Sequence, residues 1–492
     1  MKRTKRLQIL AGVLVVAALA TFGVLHYQER QEEIANTDET ILSVDANSVT
    51  ALSWSVEDAD FSFQNDGGSW TYDGDADFPV DPEQMDVLLS YFTELGADFI
   101  IENPDDLAQY GLDDPTCSIE ITSGDETQTV LLGDYSTMDS QRYVSIGDGN
   151  VYLVASDPLA AFDVDLSAFI DNDDIPGFGD VDSISIEGVD NYEIVYQEYS
   201  EDSTETYNSE DVYFKKDGDD LSPLDTEKVD QYLSALSGMS QDTYVTYKAT
   251  DEELATYGLD DPELSATITY TVTEENEDGE QEERSETFSF ALSRDAETKA
   301  APAEETDEAE ETNDTDASDD SEEAAEEKTS AYVRIGDSPI IYQISESSYE
   351  ALMACSYNDL RHDAVYSGDF SDITGFDLTL DGKTYSITSE EEDDSRTFSY
   401  DGEEITITDV QTALEAVIAT GFTDEEASGE EELALTLHLD NENFPTVTIQ
   451  ITRYNGELCL ASVDGESVCL VSRADAMDLV EAVQTIVLGQ SE

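Results

Sequence analysis

The chain has 492 residues, with 117 Asp or Glu against 20 Lys or Arg, a formal charge of −97 at pH 7. So acidic a surface repels phosphate backbones and anionic lipid head groups, which excludes nucleic acid as a partner. Hydrophobic residues at 39% and aromatics at 9% suffice for folded cores, which excludes wholesale disorder, and the length suits about three domains.

Residues 1–6 form a basic segment, Lys2-Arg3-Thr4-Lys5-Arg6, ahead of a nearly unbroken apolar stretch at 7–27. About twenty apolar residues span a bilayer, and the positive flank stays on the cytoplasmic side. The stretch therefore predicts a transmembrane helix or signal anchor, followed by a polar stalk at 28–40. Ala18-Leu19-Ala20 keeps a cleaved signal peptide open as the alternative. Either way the bulk is expected outside the cell membrane, single-pass in the anchored case.

A first module is expected over 41–175. Apolar residues alternate through Leu52 and Trp54, Phe61 and Phe63, and Trp70 and Tyr72, the pattern of a strand meander. Asp81-Pro82-Glu83-Gln84 then opens a helix, with Met85, Leu88, Leu89, Phe92 and Leu95 on one face and Gly96 at its end. Strands follow near 118–122, 129–132, 142–146 and 151–154. A second module over 176–368 repeats this order. It is interrupted at 295–329 by a stretch of Glu, Asp, Ala, Thr and Ser that predicts a disordered loop. A third module over 369–492 has its helix opened by a capping box at Thr408-Asp409-Val410-Gln411 and lacks the turn that marks the other two. The predicted fold class is α+β: an N-terminal transmembrane helix, then three tandem modules of antiparallel sheet plus helices, the third degenerate.

That marking turn is the hexapeptide Tyr110-Gly111-Leu112-Asp113-Asp114-Pro115, repeated as Tyr257-Gly258-Leu259-Asp260-Asp261-Pro262. A repeat of this kind points to a duplicated module. Asn103 with Pro104 predicts a short helix before the first copy, and Thr250 with Glu253 a capping box before the second. Gly111 and Gly258 fall where a helix ends in a left-handed residue, with Leu112 and Leu259 folding back on it. Asp-Pro then starts a strand. Cation binding by the paired aspartates is the functional alternative, but turn chemistry already accounts for them.

Cys459 and Cys469 flank Val463-Asp464-Gly465 in the last hairpin. A three-residue loop would set them directly opposite one another, near the separation a disulfide needs. Two buried thiols are the alternative. Cys117 and Cys355 are read as free and buried.

No catalytic, cofactor or metal residue is assigned. His26, His362 and His438 lack the spacing of a zinc site. Asp73, Asp75 and Asp77 imitate a calcium loop, yet Phe78 and Gln84 occupy its glycine and glutamate positions. No nucleophile elbow or phosphate-binding loop is present. Trp54 and Trp70 read as core, with a sugar-stacking surface as the alternative.

Leu52-Ser53-Trp54, the Trp70-to-Pro79 stretch, the Tyr-Gly-Leu-Asp-Asp-Pro turn and Leu131-Leu132-Gly133 together resemble the bacterial family called domain of unknown function 4340. The resemblance implies a membrane-anchored extracytoplasmic protein, with some members linked to ABC transporters of the gliding-motility auxiliary type. It supplies no catalytic residues. The expectation is a non-enzymatic, membrane-anchored repeat protein that binds a partner or serves an envelope or ABC-transport complex. The alternatives are a secreted carboxylate-dependent hydrolase and a glycan- or calcium-binding surface module.

Overall fold

Alternating apolar residues, and helices of only about one to four turns, make strands the main element of the chain. In the computed structural model the protein is mostly β, 44% strand against 21% helix, in four antiparallel sheets. The α+β expectation is corrected accordingly: helices cover sheets rather than share the architecture with them. The structure describes residues 39–57, 59–200, 202–275, 279, 281–300, 331–380, 382–392, 395–426 and 428–489. Among these no helix is long and apolar enough to cross a membrane. The expected transmembrane helix, the single-pass localisation and the membrane partnership built on it are corrected on that finding. The stretch 7–27 and the stalk as far as residue 38 lie outside the described residues.

The chain divides into two compact units, one holding residues up to Asp173 with Asp242–Lys248, the other Asp174–Gln241 with everything from Ala249. In the first, β1 (Glu39–Leu42) precedes a meander of β2 (Val49–Val56), β3 (Ala59–Asp66) and β4 (Ser69–Tyr72). Helix α1 (Pro82–Thr93) follows, then β5 (Leu95–Ala97) and β6 (Phe99–Ile101). The remaining elements are β7 (Cys117–Ser123), β8 (Glu126–Ser136), β9 (Gln141–Ser145), β10 (Val151–Val154) and the short α2 (Leu159–Phe162). The sheet runs β4-β3-β2-β7-β8-β9-β10-β6, and β1 pairs with β5 alone.

Helix α1 starts because the Asp81 carboxylate accepts from the Glu83 amide at 2.8 Å and Pro82 needs no partner at the first position. It ends at Thr93, before Gly96, which lies in β5. Met85, Leu88, Leu89 and Phe92 are buried beneath it, worth about 6–12 kcal/mol together. Trp54 is 2% exposed and stacks on Phe61 and Phe63 at 5.0 and 5.5 Å, its indole donating to the Phe162 carbonyl at 3.1 Å. With Trp70 also buried, both tryptophans serve the core.

The second unit opens with β11 (Val181–Glu187), β12 (Tyr192–Tyr196), β13 (Tyr213–Asp217), β14 (Asp220–Pro223) and α3 (Thr226–Ser237). The segment that follows, with β15 (Tyr244–Thr246), groups with the first unit. There Tyr247 and Lys248 bond to Asp75, and Tyr247 packs edge-on against Phe78 at 5.1 Å. Next come α4 (Asp251–Thr256), β16 (Leu264–Glu275), β17 (Gln281–Arg294), α5 (Ala296–Ala300), β18 (Ala331–Ile335), β19 (Ile341–Ile344), α6 (Glu346–Met353) and α7 (Tyr357–Leu360). The sheet runs β14-β13-β12-β11-β16-β17-β18-β19.

The same unit holds a further sheet. Its elements are β20 (Ile373–Leu380), β21 (Lys383–Glu392), β22 (Ser395–Tyr400), β23 (Glu403–Ile405), α8 (Thr408–Glu415), β24 (Ala419–Phe422), β25 (Glu431–Leu439), β26 (Thr446–Arg453), β27 (Leu458–Val463), β28 (Glu466–Ser472) and α9 (Arg473–Leu488). The order is β23-β22-β21-β20-β25-β26-β27-β28-β24. Seven neighbouring strands thus recur in one order three times: β4-β3-β2-β7-β8-β9-β10, β13-β12-β11-β16-β17-β18-β19 and β22-β21-β20-β25-β26-β27-β28. Val410 and Leu414 of α8, with Leu479 and Val483 of α9, lie over Leu435, Leu437, Ile449 and Ile451 in one buried cluster.

Three local expectations are corrected. Asn103 does not cap a helix: its φ is 46°, and only a single 3-10 turn, Ala108–Tyr110, precedes Gly111. The Thr408 capping box does not form, because the helix begins one residue early with apolar Ile407 at its N-cap and no side chain on its first amides. The expected loop from 295 starts instead with α5, where Asp295 accepts from the Thr298 amide at 2.8 Å and Lys299 reaches the Asp261 carbonyl at 2.5 Å. Residues 301–330 lie outside the described residues.

Candidate functional site

The two hexapeptides adopt one geometry. Gly111 and Gly258 have φ of 67° and 72°, which only glycine takes up without steric cost. The amide of Leu112 donates back to the Leu107 carbonyl at 3.2 Å, and that of Leu259 to Leu254 at 2.8 Å, closing each helical turn. Leu112 and Leu259 are buried. Tyr110 packs on Tyr143 at 5.0 Å and Tyr257 on Tyr332 at 4.5 Å. Asp113, Asp114, Asp260 and Asp261 stay exposed, while Pro115 and Pro262 are half-buried at the approach to β7 and β16.

Each turn presses on the second strand beyond it. A Cβ at Gly111 would meet the Asp134 amide at 2.8 Å, and one at Gly258 would meet the Arg294 carbonyl closer than 3.0 Å. The sheet without the hexapeptide keeps this contact: a Cβ at Gly429 would fall within 3.0 Å of the Arg453 carbonyl. The surrounding sequence carries neither tyrosine nor leucine at the matching places, so nothing in it singles Gly429 out.

A guanidinium lies beside each contact. Arg142 donates to the Gly133 carbonyl at 2.6 Å and pairs with Asp157 at 2.7 Å. Arg294 pairs with Glu263 at 2.6 Å, and Arg453 with Glu432 at 2.7 Å. Burial opposes the Glu263 charge, but hydrogen bonds from Arg294 outweigh it and hold its carboxyl below the usual range.

The densest polar constellation lies where the two sheets of the second unit meet. Asp211, 1% exposed, accepts from Thr206 Oγ1 at 2.6 Å and Asn208 Nδ2 at 2.9 Å, and His362 Nε2 lies 2.8 Å from its Oδ1. The other imidazole nitrogen faces Asp225 at 3.7 Å, while Asp225 also caps α3 through the Glu227 amide at 3.0 Å. Lys228 bridges Asp363 at 2.8 Å and the Arg361 carbonyl at 2.9 Å. Tyr207 stacks on Tyr366 at 5.5 Å, and burial raises the pKa of both phenols. No local pattern points to this cluster, since His362 and Asp211 are 151 residues apart.

Beside it opens a cleft of about 580 Å³ lined by Tyr199, Asp202, Tyr207, Asp372, Asp440 and Glu442. Burial, then the Asp369 and Asp440 charges, raise the Asp372 pKa. Among the described residues no group of three or more His, Cys, Asp or Glu is arranged to hold a metal ion.

Cys459 and Cys469 are free and buried, and the register differs from the expected one. Asp464 and Gly465, with φ of 50° and 87°, make a two-residue turn that sets Val463 opposite Glu466. An irregularity after Ala461 then places Cys469 opposite Ala461 and Cys459 opposite Val471. The two thiols are diagonal rather than facing. Burial pushes the Cys469 thiol up to about 11.

No curated protein and no solved structure matches the chain. The family model described as Domain of unknown function (DUF4340) matches residues 70–262. That span runs from Trp70 to the last residue of the second hexapeptide, and over it the chain resembles that family.

Proposed function

We propose that the protein is a non-enzymatic repeat protein whose modules, at 41–175, 176–368 and 369–492, present their surfaces to a protein partner. The seven-strand order that recurs in three sheets carries this reading. Tandem modules each bury their own core and add surface copy by copy, an arrangement suited to extended binding. The recurring glycine contact supports the same reading, because it fixes one corner of every sheet in one way.

The test is crosslinking of the full chain in the cells that produce it, with mass spectrometry of the products. Reproducible crosslinks from one partner to residues of the three sheets are expected; their absence refutes the reading. A carboxylate-dependent hydrolase is the second reading, and the raised pKa of Asp372 in an acidic cleft favours it. Turnover of any glycoside, ester or peptide substrate that Asp372→Asn abolishes would put it first.

A further inference from the structure

In two of the three sheets, the segment after the final helices returns to the N-terminus of the main helix. In the first, Asp81 at the cap of α1 donates its amide to the Phe169 carbonyl at 2.9 Å, and Asp171 returns a bond to Pro79 at 2.9 Å. Val80 and Ile170 form an antiparallel bridge, and the Phe169 ring is buried against Trp54 at 5.4 Å and Phe63 at 5.8 Å. In the second, Asp225 at the cap of α3 donates its amide to the Leu360 carbonyl at 2.9 Å, and Leu360 is buried. In both straps the accepting carbonyl belongs to the last residue of a short helix, Leu166–Phe169 or Tyr357–Leu360, the chain turns extended at the next residue, and each buries one large apolar side chain.

The third sheet has the same strand order but no strap among the described residues. The cap of α8 is Ile407, and no described carbonyl accepts from its amide. At that place lies a cleft of about 580 Å³, floored by Phe370, Phe398, Ile405 and Ile407, with Arg396 on its wall. Arg396 is held by Glu391 at 2.9 Å. The first amides of α8, which Asp81 and Asp225 satisfy in the sister helices, have no side chain on them here.

We propose that this cleft takes a segment of a partner protein, bound as the straps are. The partner's backbone carbonyl accepts from the Ile407 amide, and a large apolar side chain fills the floor. The proposal rests on the repeat reading and adds to it the site and the chemistry of the partner.

The probe is a labelled peptide of residues 165–174, which carries Phe169, Ile170 and Asp171, titrated into the full chain by fluorescence anisotropy. Saturable binding is expected. A peptide with Phe169→Ala should bind about 30-fold more weakly, the loss of an apolar anchor. Ile407→Asp restores the sister helices' own cap, so it should keep or raise the melting temperature while weakening the peptide at least about tenfold. Absence of saturable binding overturns the proposal, as does equal binding by the Phe169→Ala peptide, which needs no altered protein. If only a chain shortened by residues 490–492 binds, the occupant is the chain's own terminus and the proposal also fails. A chain that self-associates through the cleft in sedimentation, losing this with Ile407→Asp, overturns it in favour of a second copy. None of these outcomes bears on catalysis, so the failure of the cleft and the failure of the non-enzymatic reading are distinguishable.

Discussion

Replacing Gly258 by alanine tests whether the hexapeptide is held by tertiary contact or by local turn chemistry alone. Two costs apply. The left-handed backbone at φ 72° costs a residue with a Cβ about 1–2 kcal/mol. The new methyl also meets the Arg294 carbonyl closer than 3.0 Å, and forcing the strand or the turn aside adds about 1–3 kcal/mol. Gly218 is the control: its φ is 66°, but a Cβ there meets nothing within 4 Å. Both substitutions reduce the freedom of the unfolded chain equally, so that term cancels in the comparison. Gly258→Ala should therefore lose about 1–3 kcal/mol more than Gly218→Ala, a further drop of about 1.5–5 °C in the unfolding of the second unit. Thermal unfolding followed by circular dichroism reads this out. Equal losses in the two variants would refute the reasoning, since the carbonyl contact would then constrain nothing.

Further outcomes can be checked separately. Glu263→Gln should cost about 1–3 kcal/mol at pH 7 by weakening the bonds to Arg294. Because the folded state depresses this carboxyl's pKa, its contribution is present above the unfolded value and lost as pH falls through the folded one. The gap between wild type and variant should therefore close in acid; a gap that persists unchanged at pH 2 counts against the pairing. Asp372→Asn should act in the opposite sense. The folded state raises this pKa above 3.8, so the ionised side chain weakens the fold at neutral pH. The variant should melt higher at pH 7, with the gain vanishing as the pH falls below 3.8, and a lower melting temperature at pH 7 would contradict this. Asp211→Ala strands Thr206, Asn208 and His362, and should destabilise the second unit by about 3–5 kcal/mol in a denaturant titration. All four cysteines are buried as thiols, so a thiol reagent at pH 8 should label none of them in the folded chain and four in denaturant. Labelling of Cys459 or Cys469 without unfolding would show that their hairpin opens.

What the sequence determined by itself is local. Alternation through Leu52 and Trp54, the helix face of Met85 to Phe92, and the glycine at the end of each Tyr-Gly-Leu turn depend on near neighbours and on the conformations a residue type permits. The same local evidence failed where two signals compete within a few residues. At Thr408 a good capping pattern lost to a helix that starts one residue earlier, and at Cys459 a two-residue Asp-Gly turn shifted the register that a three-residue loop would have given. Tertiary structure alone decided the rest. Gly429 against Arg453, His362 against Asp211, and the cleft at Ile407 join positions whose separation along the chain has no periodicity to betray it. Strand order brings such residues together, and only the folded sheet fixes which carbonyl or carboxylate each one meets.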